Sequence, residues 1–521
     1  MLGARAVRRA GHFTLPDTPP WARWVLPTSA FGYFLGYPLQ PHGKGPRLWA
    51  DWEQRIRVVA RTGWGKTSRL LVPIIRALPG PALVSSTEPS IFTQTVTARQ
   101  FRRPALRWRW LSMPLRRWLP VLEYPIAVVD FSAPHQRYAA GYPQPRWSPI
   151  HGCEDFAVAH RRALALITGT DTHSSTAHGT DADQFFRDSA AEVLAAWLHA
   201  AALGSKDIDD LLSWLRKTDD PTPGRILRDE ARADPSALVN LRKHLDPAAS
   251  KTTSGVERYL TLSMNSLATT EGRELCRAGR DDQFDMPAFI AAGGTVYLLA
   301  DPSRITRARP LLSLFAAEMF LAAENAALRT RHKRLPRPYI AVLDELRYGI
   351  TVPNLPYVAS TQRKFGIGYV YAVQSTTQED AVYGNDAPAL RSAAGISLYG
   401  GIDIDSAHEL TQRAGVTPVV TATRGPDTHT EHIQLHDTLT IGDQQQLADG
   451  QATVVVRGLA PFLAWVPSLY EQRSLNRAIR QETDTVAQRV TGAQHRDLAT
   501  LRNHSAATAA GAEFGQEGVN R

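Results

Sequence analysis

Lysine is scarce in this chain: Lys44, Lys66, Lys206, Lys217, Lys243, Lys251, Lys333 and Lys364 are all there are among 59 basic residues. That bias toward arginine, beside abundant alanine, fits a GC-rich coding sequence better than a surface built for nucleic acid. Cysteine is scarcer still. Cys153 and Cys276 alone exclude a disulfide framework and a cysteine zinc site, and fit a reducing compartment. The best candidate for a membrane span, residues 24–41, is uncharged but broken by Pro27, Gly32, Gly36 and Pro38. A spanning helix needs roughly 20 mostly apolar residues, so this stretch reads as a packed lead-in and the chain is expected not to cross a bilayer. Arg5, Arg8 and Arg9 lack the apolar core of a signal peptide behind them. His173, His178, Asp181 and Asp183 match no metal-ligand spacing and read as a polar loop. No internal repeat or heptad array is visible.

What is present is an ordinary globular composition. The 521 residues are 43% hydrophobic and 21% charged, with a mean hydropathy of −0.26, and the length suits two to four domains. A net charge of +9 permits a polyanionic partner without demanding one.

The chain is organised around residues 55–68. A β-branched run at 56–59 predicts a buried strand, which breaks at Ala60 into a loop, Arg61, Thr62, Gly63, Trp64, Gly65, before Lys66, Thr67 and Ser68 open an apolar helix. Strand, glycine-rich loop and helix together are the context a phosphate-binding loop requires. Glycine lets successive backbone N–H groups turn inward, and the helix start adds its positive dipole end. Lys66 is expected to meet the β- and γ-phosphates of a nucleotide, and the Thr67 hydroxyl to ligate Mg²⁺. A chance Gly-Lys-Thr in a surface turn would lack the flanking strand and helix. The first glycine of the usual pattern is replaced by Ala60, small enough for the loop start.

Strands and helices then alternate, which predicts a mostly parallel sheet covered on both faces. Residues 1–50 read as an irregular lead-in without a clear transmembrane helix, and 51–150 as the first part of a nucleotide-binding α/β domain. Amphipathic spacing at 157–168, 184–203, 207–215 and 258–267 marks 151–288 as an inserted all-helical domain. Residues 289–470 complete the α/β domain, and 471–521 form a final helix with a disordered tail. Residues 101–123 interrupt the pattern with Arg102, Arg103, Arg107, Arg109, Arg116 and Arg117 among Trp108, Trp110 and Trp118. Three readings stay open for them: a nucleic-acid surface, a membrane-interface contact, or an exposed excursion covering a neighbouring element.

A second chemical motif follows at 339–346, where an apolar strand delivers Asp344 and Glu345 at its end. This is the Walker B arrangement: the first acid orders water on Mg²⁺, and the second polarises the water that attacks the γ-phosphate. The next strand, 368–373, ends in Gln374, either a γ-phosphate sensor or a strand-end residue bonding its own turn. Arg363 is a candidate cation for transition-state charge or a solvated arginine.

In this order the motifs resemble the type IV secretion coupling proteins of the TraG/TraD class, in their actinobacterial form. The resemblance rests on the phosphate loop, the strand end Ser85 to Ser90, the text Trp147 to Asp155, Leu343 to Glu345, Arg363 to Gln374, Tyr383-Gly384, and Gly400 to Asp403. It covers roughly residues 50–470. It implies a RecA-like P-loop NTPase with an inserted all-α domain, using ATP and Mg²⁺ at the interfaces of a homo-hexamer. It implies that Lys66 and Thr67 hold phosphate and metal, that Asp344 and Glu345 form the acid pair, that Gln374 senses the γ-phosphate, and that Arg363 lies near the nucleotide. DNA and relaxase or secretion-channel proteins are the implied partners, at the cytoplasmic inner face of the plasma membrane. Besides Ala60, Glu88 departs from the family pattern, and so does the lack of N-terminal membrane segments. Anchoring then falls to another chain, to the 101–123 excursion, or to sequence upstream of an earlier start. An ATP-bound docking platform for relaxase or secreted protein is the rival reading. An FtsK-like double-strand DNA pump is a further one, short of a C-terminal winged-helix reader.

Overall fold

The computed structural model describes residues 3–517 apart from 16, 18, 20, 22–24, 103–120, 171–180, 246–249, 280, 354 and 425–428. Its centre is one large sheet. Seven strands run parallel in the order Ile396–Gly400, Ile56–Ala60, Ile367–Val373, Tyr339–Leu343, Ala82–Ser86, Thr295–Ala300, Ile126–Phe131. Antiparallel strands Gln451–Val456, Phe462–Trp465 and Gly32–Gln40 extend it beyond Ile396–Gly400. The fold is thus α/β and RecA-like, with the phosphate-loop strand in mid-sheet.

Both faces are covered, so the central strands read as continuous apolar runs. Alternate residues enter two separate cores, as the two-residue period of a strand requires. Ile56, Val58, Ala82, Val84, Ile340 and Val342 pack on the side of helices Val72–Ala77 and Pro89–Gln100. Val59, Leu83, Ala341 and Leu343 pack on the other side, with helix Ile305–Leu328.

Helix Ile305–Leu328 is long and apolar enough to cross a membrane, but 67% of its most apolar window is buried inside the protein. Glu318 on it pairs with Arg162 at 2.8 Å. It is a core helix. Between Cys153 and the strand Thr295–Ala300 the described regular elements are all helices, including Phe156–Thr168, Asp181–Leu203, Ile208–Arg216 and Ser250–Ala268.

Two expectations are corrected. Residues 1–50 are not irregular: Gly32–Gln40 joins the sheet beside Phe462–Trp465, and helix Ala4–Thr14 packs on strand Leu48–Asp51. The stretch expected to end in a disordered tail is instead described up to residue 517 as one helix, Arg473–Glu517. The alanines of this stretch have the intrinsic propensity to continue a helix. The Arg/Trp excursion falls largely on 103–120, and the His/Asp loop largely on 171–180, outside the described residues.

Candidate nucleotide site

The loop is fixed from its strand outward. Ala60 is buried and has no positive φ, unlike Gly63 at +87° and Gly65 at +94°. Alanine therefore serves where the backbone does not need glycine, and glycine stands where it does. Trp64 is a wedge holding the loop against the sheet. Its ring is buried, its Nε1 donates to the Gln451 carbonyl at 2.8 Å, and it lies where a Cβ on Gly400 would fall 2.3 Å away. The helix opens with a wide turn, Thr67–Leu71. Arg69 ties that turn to the antiparallel end of the sheet through the Val466 carbonyl (2.8 Å) and Glu471 (3.1 Å).

Lys66 is 8% exposed, and its Nζ donates to the Ala60 carbonyl at 2.8 Å. Burial lowers its pKa, and the nearby Asp344 and Glu345 carboxylates pull the other way. Two strands across the sheet, Asp344 is buried at the carboxyl end of Tyr339–Leu343. Its pKa is pushed up to about 7 by burial first, then by Glu345, against the pull of Lys66. Ser86 Oγ approaches Asp344 Oδ2 at 3.4 Å and accepts from the Glu88 amide at 3.0 Å.

Glu345 adopts φ = +51°, a conformation rare for a residue with a side chain. Its carbonyl accepts from the Gly349 amide at 2.6 Å, and a Cβ on Gly349 would meet the Asp344 and Glu345 carbonyl oxygens at 2.7 and 2.8 Å. Backbone strain of about 1–3 kcal/mol is typical where a side chain must be aimed. Gln374 ends the strand that lies between the loop strand and the acid strand. Its Nε2 donates to Glu345 Oε1 at 3.2 Å, so the side chain reaches the acid and not its own turn.

The loop, Asp344, Glu345 and Gln374 thus converge at the carboxyl ends of neighbouring strands, the crevice where open α/β sheets take ligands. Arg363 does not join them. It precedes Ile367–Val373 and pairs with Glu53 at 3.1 Å, one strand length, about 20 Å, from Gln374. The residue therefore sits at the opposite end of the sheet from its own chain's phosphate loop.

Sequence reasoning missed Ser86 as the neighbour of Asp344, Glu88 as a third acid raising the Asp344 pKa, and Gly349 as the residue permitting the Glu345 turn. It also missed Arg57. Fully buried in the loop strand, Arg57 forms a two-bond pair with Glu379 (2.7 and 2.8 Å), reaches Glu409 (3.1 Å) and donates to Tyr399 Oη (2.6 Å). An arginine between Ile56 and Val58 gave no local hint of acids 322 residues later.

The donor set fits a nucleotide with a divalent cation. A buried lysine lies near two acids, and the half-buried Thr67 opens the helix. Among the described residues no three His, Cys, Asp or Glu side chains converge on a metal site, but magnesium on a nucleotide takes only one or two protein donors beside phosphate oxygens.

No curated protein matches the chain. Among solved structures, the plasmid coupling protein TrwB in complex with ADP and Mg²⁺ aligns at a TM-score of 0.57 and 15% identity, covering 80% of this chain and 85% of that one. TrwB bound to a non-hydrolysable ATP analogue aligns at 0.56 and 15%, covering 80% and 86%. TrwBΔN70 with sulphate aligns at 0.56 and 14%, with the same coverage. These likenesses establish the fold. The family model for the type IV secretion-system coupling protein DNA-binding domain matches residues 143–422, more than half of the chain, and includes Asp344, Glu345, Arg363 and Gln374. The protein therefore belongs to the type IV secretion-system coupling proteins.

Proposed function

We propose that this chain is an ATP-hydrolysing motor that delivers DNA, or a DNA–relaxase complex, to a conjugative type IV secretion channel. One observation carries the reading: Glu345, turned by its positive φ and held by Gln374, stands across the crevice from Lys66. Lys66 Nζ exchanges the Ala60 carbonyl for the β- and γ-phosphate oxygens, while the loop from Ala60 to Ser68 offers backbone N–H groups to the same phosphates. Glu345 takes the proton of the attacking water, and Gln374 couples that acid to the γ-phosphate. Thr67 and Asp344 would hold the Mg²⁺ that accompanies the nucleotide, and the ion would supply charge neutralisation on the phosphates.

Arg363 cannot serve its own loop, so its charge is assigned to the site of a neighbouring subunit in a ring of six. The motor works at the cytoplasmic face of the membrane, in contact with channel proteins.

The test is ATP turnover against added single- and double-stranded DNA, with mass photometry on the same sample. Stimulation by DNA together with a six-subunit species supports the motor. Absence of turnover from a lone subunit that still binds relaxase overturns it in favour of a docking platform.

A further inference from the structure

At the end of the sheet opposite the phosphate loop lies a cavity of about 520 Å³, bordered by Glu53, Arg55, Ser360, Arg363, Ser392 and Arg457. Three of those residues are cations and one is an acid. The acid is already engaged: Glu53 Oε1 accepts from Arg334 at 2.5 Å, and Oε2 from Arg363 at 3.1 Å. Arg457 donates one bond, to the Ser392 carbonyl.

Arg55 is the unusual member. It is 8% exposed, yet its Nε and Nη2 have no hydrogen-bond partner. Other buried arginines are furnished. Arg57 has its carboxylates, Arg99 donates to Thr295 and to the Leu78 and Gly80 carbonyls, and Arg162 pairs with Glu318. A buried guanidinium without acceptors is costly, and proteins keep such groups paired. Burial lowers the Arg55 pKa, and the positive charges of Arg363 and Arg457 lower it further. Glycine at 395 forms part of the wall, where a Cβ would strike the Gln54 side chain at 2.2 Å.

We propose that this cavity is a receptor for a phosphate oxyanion, bound by the guanidinium groups of Arg55 and Arg457. The planar fork of arginine matches phosphate oxygens in pairs, and an anion there supplies the acceptors that Arg55 lacks. The site is separate from the nucleotide crevice and stands whether or not the motor reading does. Two sources carry the same chemistry, a small phosphate ester and the backbone phosphate of a nucleic acid.

The experiment uses the full chain carrying Lys66→Ala, so that the phosphate loop is silenced, and titrates inorganic phosphate by isothermal calorimetry. One saturable site is expected, weakened at least tenfold by Arg55→Met and, separately, by Arg457→Met. In phosphate-free chloride buffer Arg55→Met should melt at a higher temperature than its parent, and phosphate should no longer raise that temperature. Should Arg55→Met fail to fold, the exposed Arg457→Met decides. Displacement of phosphate by a short thymidine oligonucleotide assigns the site to nucleic-acid backbone, and its retention to a small phosphate ester. Either result supports the receptor. No saturable phosphate binding in the Lys66→Ala chain, or unchanged affinity in both arginine variants, overturns it.

Discussion

Arg57, in the strand that carries the phosphate loop, and Arg55, immediately before that strand, lie two residues apart, and both are shielded from water. Beside them on the neighbouring strand stand Tyr369 and Tyr371. There the likeness ends. Arg57 is enclosed by Glu379, Glu409 and Tyr399, with Arg391 and Arg413 completing the charge balance. Arg55 opens on a cavity among other arginines. Burial of an arginine thus serves two ends. A buried charge with every partner in place fixes helices Thr376–Tyr383 and Ile404–Ala414 against the sheet, whereas one without partners marks a place for an outside ligand. The sheet repeats the contrast at larger scale, with acids and loop glycines at its carboxyl edge and arginines at its amino edge.

The largest effect should come at the carboxyl edge. Lys66→Ala should abolish ATP turnover. Glu345→Gln should keep nucleotide binding within a few-fold of the parent while slowing hydrolysis about 10²–10⁴-fold, the usual worth of a positioned general base. Single-turnover hydrolysis beside equilibrium nucleotide binding checks both. Wild-type hydrolysis by Glu345→Gln would remove the base from Glu345.

Arg57→Met should be the most destabilising of the arginine changes. It leaves Glu379 buried without its principal partner, a loss of about 3–5 kcal/mol, readable by chemical denaturation. If the loss is small, the contrast between paired and unpaired arginines fails.

Asp344→Asn should act in the opposite direction. The folded-state pKa of about 7 lies above the ordinary 3.8, so the unfolded chain sheds this proton more readily. Stability falls as pH rises between those two values and is level above. The substitution should therefore raise the melting temperature of nucleotide-free protein at pH 8 and change little near pH 4. The gain has a ceiling of ~4 kcal/mol at about 1.4 per pKa unit. A pH-independent difference would remove the buried acid as its cause.

Arg363→Ala should alter stability least, by less than about 1 kcal/mol, because its side chain is 55% exposed and Glu53 keeps Arg334. Its effect belongs to the assembly. Arg363→Ala chains mixed with Lys66→Ala chains should recover part of the turnover that each lacks alone. No recovery would argue against a role across subunits.

The loop, the acid pair and the strands around them were legible because each is a contiguous pattern whose chemistry and period need no distant partner. The core strands fall within a residue or two of their expected places, and Ala60 proves compatible because the backbone there does not call for glycine. Less could be read at the margins. The strand Gly32–Gln40 is apolar but broken by Gly36 and Pro38, and gains its identity from Phe462–Trp465 far along the chain. Gly400 looks like any turn glycine until Trp64 is set against it. Arg363 and Gln374 are close in sequence, but a parallel strand carries the residues before and after it to opposite edges, so they lie far apart within one chain.

By itself, the order of residues determined the family, the glycine-rich loop that ends at Lys66 and the acids across the sheet from it, since local spacing and strand-end chemistry decide those. Only the tertiary structure decided which buried charges have partners. Electrostatic and hydrogen-bond energies depend on distance through space, and the fold alone sets the distances between residues hundreds of positions apart.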